Sequence, residues 1–115
     1  MSNSLQAIVE GALDDLKAKD LTVLDVTEYT DVMDTLIIAT GTSNRHVKSL
    51  ANNVVVDTKK SGFQPLGVEG TETGEWVLVD YGDIVVHVML QATRDFYELE
   101  KLWSMKPASR TTDDE

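Results

Sequence analysis

Two short apolar runs separated by a Tyr-Gly pair dominate residues 76–88, and they predict a β-hairpin. The segment reads Trp-Val-Leu-Val-Asp, then Tyr-Gly, then Asp-Ile-Val-Val-His-Val. Gly82 supplies the positive φ that a tight two-residue turn requires. With Tyr81 and Gly82 as the loop, Asp80 lies opposite Asp83 and Trp76 lies opposite His87.

Side chains alternate between the two faces of a strand, so this hairpin has two faces of different character. One face is wholly aliphatic and is predicted to be core: Val77, Val79, Ile84, Val86 and Val88. The other face carries Trp76, Leu78, Asp80, Asp83, Val85 and His87. A large aromatic ring, a histidine and two carboxylates make poor core, so we predict the functional site on this second face.

Apolar residues at helical spacing predict a first helix over residues 4–19. Asn3 and Gln6 have the spacing of a capping box at its start. Lys17 and Lys19 suit the negative end of the helix dipole.

A second helix is predicted to follow residue 41, with Thr42 or Ser43 as its N-cap. Gly62 stands where a left-handed C-terminal cap belongs. A last, shorter helix is predicted to begin near Thr93.

Strands are predicted at residues 21–27 and 35–40, and a weak one after Pro65. With the hairpin, the element order is α-β-β-α-β-β-β-α. This order indicates an α/β (α+β) fold with a mixed β-sheet covered by helices, in which part of one sheet face can stay open. Residues 1–104 are predicted to form a single domain and residues 105–115 a disordered polar tail.

The composition favours a basic protein partner. The chain of 115 residues carries 20 Asp and Glu against 10 Lys and Arg, a net charge of −10. Such a surface is repelled by phosphate backbones and anionic membranes and attracted to basic proteins. The acidity is equally explained by solubility alone. The absence of cysteine excludes disulfides, and neither a long apolar run nor a secretory signal pattern is present, so we expect a cytoplasmic protein.

Elsewhere in the chain, the sequence gives only weak indications of a catalytic or ligand-binding site. A Gly-Thr-Ser turn at residues 41–43 could bind an anion or present Ser43 as a nucleophile, but a plain helix cap is the simpler interpretation. A metal site built from His46, His87, Asp80 and Asp83 matches no compact ligand motif. A carboxylate at a turn more often binds the local backbone. We therefore predict no catalytic residue, no cofactor and no metal.

The C-terminal region offers a second group of candidate residues. Arg94, Tyr97 and Glu100 lie on adjacent helical turns and can share one face. The ordinary interpretation of Arg94 with Glu100 is a solvated ion pair that contributes little to stability. Trp103 either seals the core or anchors a partner.

Four blocks, in this order along the chain, resemble the ribosomal silencing factor family, also called Iojap or Iojap-like. They are Asp-Thr-Leu-Ile-Ile-Ala-Thr-Gly-Thr-Ser-Asn-Arg-His-Val at 34–47, Pro-Leu-Gly-Val-Glu-Gly at 65–70, the hairpin at 76–88, and Arg-Asp-Phe-Tyr-Glu-Leu-Glu-Lys-Leu-Trp at 94–103. The resemblance covers about residues 5–104. Thr35 stands where relatives often have an aromatic residue, and Gln91 where they often have an acidic one.

The resemblance implies a fold similar to nucleotidyltransferases without known catalysis. It also implies binding to the large ribosomal subunit through L-fourteen, a protein on the intersubunit face. The bound protein would block the small subunit from joining. Translation would therefore fall during nutrient limitation. The contact residues it implies are Trp76, Leu78, Asp80, Tyr81, Asp83, His87, Arg94, Tyr97 and Glu100. The resemblance further implies that the chain forms a homodimer in isolation.

One alternative is a nucleotidyltransferase-like enzyme or nucleotide-binding protein, and a second is a homodimeric scaffold with no ribosomal role. Such enzymes hold divalent cations with a Gly-Ser turn and two carboxylates on one strand. Here Thr42 intervenes between Gly41 and Ser43, and Asp80 and Asp83 are split across a turn.

Overall fold

The described part of the chain folds around a five-stranded mixed sheet with the predicted order of elements. A computed structural model describes residues 4–28, 31 and 33–97, with the backbone alone for residues 96 and 97. Its elements are α1 (Leu5–Asp15), β1 (Lys19–Asp25), β2 (Thr35–Gly41), α2 (Asn44–Lys60), β3 (Gly67–Glu69), β4 (Trp76–Asp80), β5 (Ile84–Leu90) and α3 (Gln91–Tyr97). The strands lie in the order β1-β2-β5-β4-β3. Only β2 and β5 run parallel, and the other neighbouring pairs are antiparallel.

Helices α1 and α2 cover one face of the sheet, which we call the helix face. The buried apolar residues of this core are Val9, Ala12, Leu13, Ile37, Ala39, Val47, Leu50, Ala51, Val54, Val77, Val79, Val86 and Val88. Strand β2 is buried from Leu36 to Gly41 on both of its faces, which explains its unbroken apolar sequence.

A smaller apolar cluster lies on the opposite face of the sheet. Its buried members are Val26, Leu36, Ile38 and Met89, and partly buried residues packed against it include Trp76 and Val85. The sheet therefore has a large core on the helix face and a small one on the other.

Helix α1 is shorter than predicted at both ends. Its N-cap is Ser4, whose hydroxyl accepts from the Ala7 amide, so the predicted capping box of Asn3 with Gln6 is wrong. The helix ends at Asp15 rather than at residue 19 because Lys17 turns to a φ of 61°. The Ala18 amide then donates to the Leu13 carbonyl across the helix end, a Schellman arrangement that closes it without glycine.

Helix α2 has the predicted ends. The Ser43 hydroxyl accepts from the His46 amide, and Gly62 follows the helix with a φ of 93°. Strand β1 begins and ends two residues earlier than predicted, and α3 begins at Gln91 rather than near Thr93. No helix in the described part of the chain is long and apolar enough to cross a membrane. The predicted domain end at residue 104, the polar tail and Trp103 lie outside the described residues.

Candidate functional site

The turn of the β4–β5 hairpin lies one residue later than predicted. The Tyr81 amide donates to the Ile84 carbonyl at 2.9 Å, so Gly82 and Asp83 form the loop. Asp80 pairs with Val85 rather than facing Asp83, and Trp76 pairs with Met89 rather than His87. These two predicted cross-strand pairs are therefore wrong, although Gly82 does adopt a positive φ, 91°.

Three hydrogen bonds place the turn at this position. A carboxylate oxygen of Asp80 accepts from the Gly82 amide at 2.8 Å, the local backbone contact expected of an aspartate at a turn. The Asp83 carbonyl accepts from the amides of Asp34 and Thr35, at 2.7 and 3.1 Å. Residue 83 is thus held in the loop by the segment that enters β2.

The pairing differs from the prediction by two residues, so each side chain within β4 and β5 keeps its predicted face. Val77, Val79, Val86 and Val88 are completely buried on the helix face, and Ile84 packs against them. The aliphatic face of the hairpin is therefore core, as predicted.

The other face of the hairpin brings four of the predicted site residues together. Trp76, Leu78 and Asp80 alternate along β4 and are half-buried. His87 lies on β5 directly between Leu78 of β4 and Ile38 of β2, and it is 9% exposed. We call the group Trp76, Leu78, Asp80, Val85 and His87 the mixed face.

A hydrogen bond between Trp76 and His87 organises the mixed face. The indole N–H donates to Nδ1 of His87 at 2.8 Å, with the ring centroids 5.8 Å apart. Because Nδ1 accepts, the neutral imidazole carries its hydrogen on Nε2. Burial lowers the pKa of His87 to about 4, so the ring is neutral at pH 7. His87 is thus an uncharged acceptor that fixes the orientation of the indole.

Burial of a neutral His87 should make stability depend on pH. In the unfolded chain, His87 binds a proton near its ordinary pKa of 6.5, whereas in the folded chain it stays neutral down to about pH 4. The free energy of unfolding therefore falls as the pH drops from about 6.5 to about 4. Between pH 7.5 and pH 5, His87 should account for about 2 kcal/mol of lost unfolding free energy. Urea denaturation at the two pH values measures the loss.

The matched variant is His87→Asn, whose side-chain oxygen can replace Nδ1 as acceptor and does not titrate. It should lose about 2 kcal/mol less than the wild type over the same pH interval. Equal losses in the two proteins would show that His87 is not buried in its neutral form.

Tyr81 and Asp83 do not lie on the mixed face. The Tyr81 side chain packs against the helix-face core, and its hydroxyl lies 2.7 Å from that of Thr58 on α2. Burial raises the pKa of this phenol, partly offset by the Thr58 hydrogen bond. Asp83 is exposed at the tip of the hairpin.

Arg94 is an internal structural residue. It is 4% exposed, and its guanidinium donates to the Asp20 carbonyl at 2.7 Å and to the hydroxyls of Thr40 and Thr22 at 2.6 and 2.9 Å. The Arg94 side chain is therefore not solvated, contrary to the interpretation from sequence, and it ties α3 to β1 and β2. Tyr97 is described by its backbone alone, and Glu100 lies outside the described residues.

The Gly-Thr-Ser turn serves as a helix cap. Nδ1 of His46 accepts from the Thr42 amide at 2.9 Å, and Nε2 lies 2.7 Å from the Leu16 carbonyl at the end of α1. Both ring nitrogens of His46 are thus used in joining the ends of two helices, and Ser43 is occupied as the N-cap. In the part of the chain that the structure describes, no three His, Asp or Glu side chains form a group that could hold a metal ion.

One surface residue was missed by the sequence analysis. Leu66 is 75% exposed, and it lies beside the hairpin turn, where a Cβ added to Gly82 would stand 3.3 Å from Leu66 Cδ1. The sequence contains one indication of this exposure, because the leucine between Pro65 and Gly67 belongs to no predicted apolar face.

A five-stranded mixed sheet with helices on one face, and with a small apolar cluster and the half-buried Trp76 on the other, defines a small α+β domain. The family model described as "Ribosomal silencing factor during starvation" matches residues 1–115. The ribosomal silencing factor of Chromobacterium violaceum is 54% identical over 98 residues, which are 84% of this chain and 80% of that protein.

Similarity extends to solved structures and to a mitochondrial protein. A crystal structure of a Chromobacterium violaceum protein superposes with a TM-score of 0.87 at 48% identity, covering 92% of this chain and 88% of that one. The mouse protein named for mitochondrial assembly of the ribosomal large subunit is 37% identical over 92 residues, 77% of this chain and 40% of its own. The chain belongs to the ribosomal silencing factor family, whose members are ribosome-associated regulators of translation.

Proposed function

We propose that this protein binds the large ribosomal subunit through its L-fourteen protein and prevents the small subunit from joining. During nutrient limitation, the rate of translation would then decrease. The observation that carries the proposal is the mixed face, where Trp76, Leu78 and Asp80 stand half-buried on one strand of a rigid sheet. An aromatic side chain with polar neighbours is the usual anatomy of a binding hot spot. The mouse relative, named for the large subunit, supports the choice of subunit.

The charge of the chain supports a ribosomal protein rather than bare RNA as the contact. A net charge of −10 opposes approach to phosphate and favours a basic protein surface. We place the protein in the cytoplasm, and we propose that it forms a homodimer when it is not on the ribosome.

The proposed mechanism is steric and needs no chemical step. A 12.7 kDa domain seated on the intersubunit face occupies space that the small subunit requires. A standard interface of about 1,600 Å² in total is enough for specific binding.

The test is sedimentation of the purified protein with isolated large and small subunits under conditions in which the subunits join. The proposal predicts that the protein travels with the large subunit and that the yield of joined ribosomes falls as protein is added. Sedimentation with the small subunit, or full joining despite a saturated large subunit, would contradict it.

The two hairpin carboxylates should accelerate binding. We expect the double variant Asp80→Asn with Asp83→Asn to associate with large subunits about 10-fold more slowly at low salt, with a smaller difference at high salt. Asparagine at position 80 retains an acceptor for the Gly82 amide, so the turn should persist. Stopped-flow or surface-based kinetics measure the association rate.

The control removes the same charge elsewhere. Asp14→Asn with Asp15→Asn changes two exposed carboxylates at the end of α1. If both double variants slow association equally, net charge rather than the hairpin steers the encounter.

A further inference from the structure

We infer that Leu66, which lies beside the tip of the β4–β5 hairpin, is an apolar anchor of the docking surface. The inference rests on the proposed function and identifies a contact outside the residues that the family resemblance implied. The occupant is a basic protein surface that carries an apolar pocket for one leucine side chain.

The first observation is the degree of exposure. Leu66 is 75% exposed, whereas the other exposed large apolar residues in the described part of the chain are between 36% and 39% exposed. Single exposed apolar residues are common, so exposure alone does not define a contact. The position of Leu66 beside the hairpin turn and its hydrogen-bonded backbone add to this observation.

The backbone of Leu66 is held in place. Pro65 restricts the chain before it, and the Leu66 amide donates to the Asp80 carbonyl at 2.7 Å. The side chain lies against the turn at Gly82. A residue whose backbone is already ordered loses less conformational freedom on binding, and this is a property expected of an anchor.

The surroundings of Leu66 indicate the chemistry of the partner. The Asp80 carbonyl accepts from the Leu66 amide, and the side chain of Asp80 lies on the mixed face. Asp83 is exposed in the adjoining turn. An apolar anchor bordered by carboxylates fits a pocket lined by aliphatic groups and rimmed by Lys or Arg.

The experiment compares Leu66→Ala with the wild type in equilibrium binding to isolated large subunits. We expect the affinity to fall at least 10-fold with unchanged salt dependence, because no charge is removed. Val56→Ala on α2 is the control, since Val56 is 39% exposed on another element, and its affinity should equal that of the wild type. The melting temperatures of the three proteins should agree.

A second measurement does not depend on loss of affinity. The chain has no cysteine, so Leu66→Cys and Val56→Cys each introduce a single thiol. Alkylation of the thiol at position 66 should slow at least 10-fold when large subunits are bound, and alkylation at position 56 should not.

The outcomes separate the two proposals. If the wild type does not bind the large subunit, the proposed function fails and the anchor fails with it. If the wild type binds while Leu66→Ala keeps full affinity or the thiol at position 66 stays unprotected, only the anchor is overturned.

Discussion

Replacing Arg94 with methionine is expected to lower the free energy of unfolding by about 3 kcal/mol. The methionine stem fills part of the space but leaves the Asp20 carbonyl and the hydroxyls of Thr40 and Thr22 without the donors that the guanidinium supplies. Arg94→Lys should recover only part of the loss, because one ammonium cannot reproduce the planar fork. Urea denaturation followed by circular dichroism gives the free energies.

The matched control is Arg45→Met, which removes an exposed arginine from the first turn of α2. Its unfolding free energy should change by less than about 0.5 kcal/mol. If Arg94→Met and Arg45→Met have the same small effect, the buried guanidinium does not fasten α3 to the sheet.

Replacing Trp76 with alanine is expected to weaken binding to the large subunit by about 30-fold or more, the size of a hot-spot effect. The indole is the largest side chain of the mixed face, and its N–H is fixed by His87. Trp76→Phe should lose less affinity, because it retains an aromatic ring but gives up the hydrogen bond that orients it. Equilibrium titration against isolated large subunits measures each loss.

Two controls accompany the Trp76 variants. Leu21→Ala truncates a 36% exposed apolar residue on β1, at the opposite edge of the sheet, and should bind normally. The circular dichroism spectrum of each variant establishes that it is folded. Full affinity in a folded Trp76→Ala protein would assign the indole to structural support of the sheet and remove it from the contact.

The faces of the hairpin could be predicted from sequence because they depend only on alternation. An error of two residues in pairing leaves Val77 and Val79 in the core and Trp76 and Leu78 on the other side. The position of the turn could not be predicted in the same way. It depends on the Asp83 carbonyl accepting from Asp34 and Thr35, a contact between distant parts of the chain.

The roles of Arg94 and Leu66 also depend on tertiary structure. A helical pattern places Arg94 on a face of α3 but does not indicate that β1 and β2 present three oxygens to it. The early end of α1 at Asp15 could not be predicted, because Lys17, which is not a glycine, adopts the left-handed conformation that closes the helix. The ends of α2 were easier to predict, because serine favours the N-cap position that Ser43 occupies and glycine favours the left-handed conformation of Gly62 after the helix.

The parallel pairing of β2 with β5 has a consequence for how the chain folds. Thr35 pairs with Ile84 across α2, β3 and β4, whereas the antiparallel pairs join strands that are neighbours in sequence. Such long-range closure is slow, and until it is complete the apolar strands β2 and β5 each have an unpaired edge that can attach to another copy. The net charge of −10 makes incompletely folded chains repel one another. The acidity that we assign to partner recognition therefore also protects the protein from aggregation while its sheet is being closed.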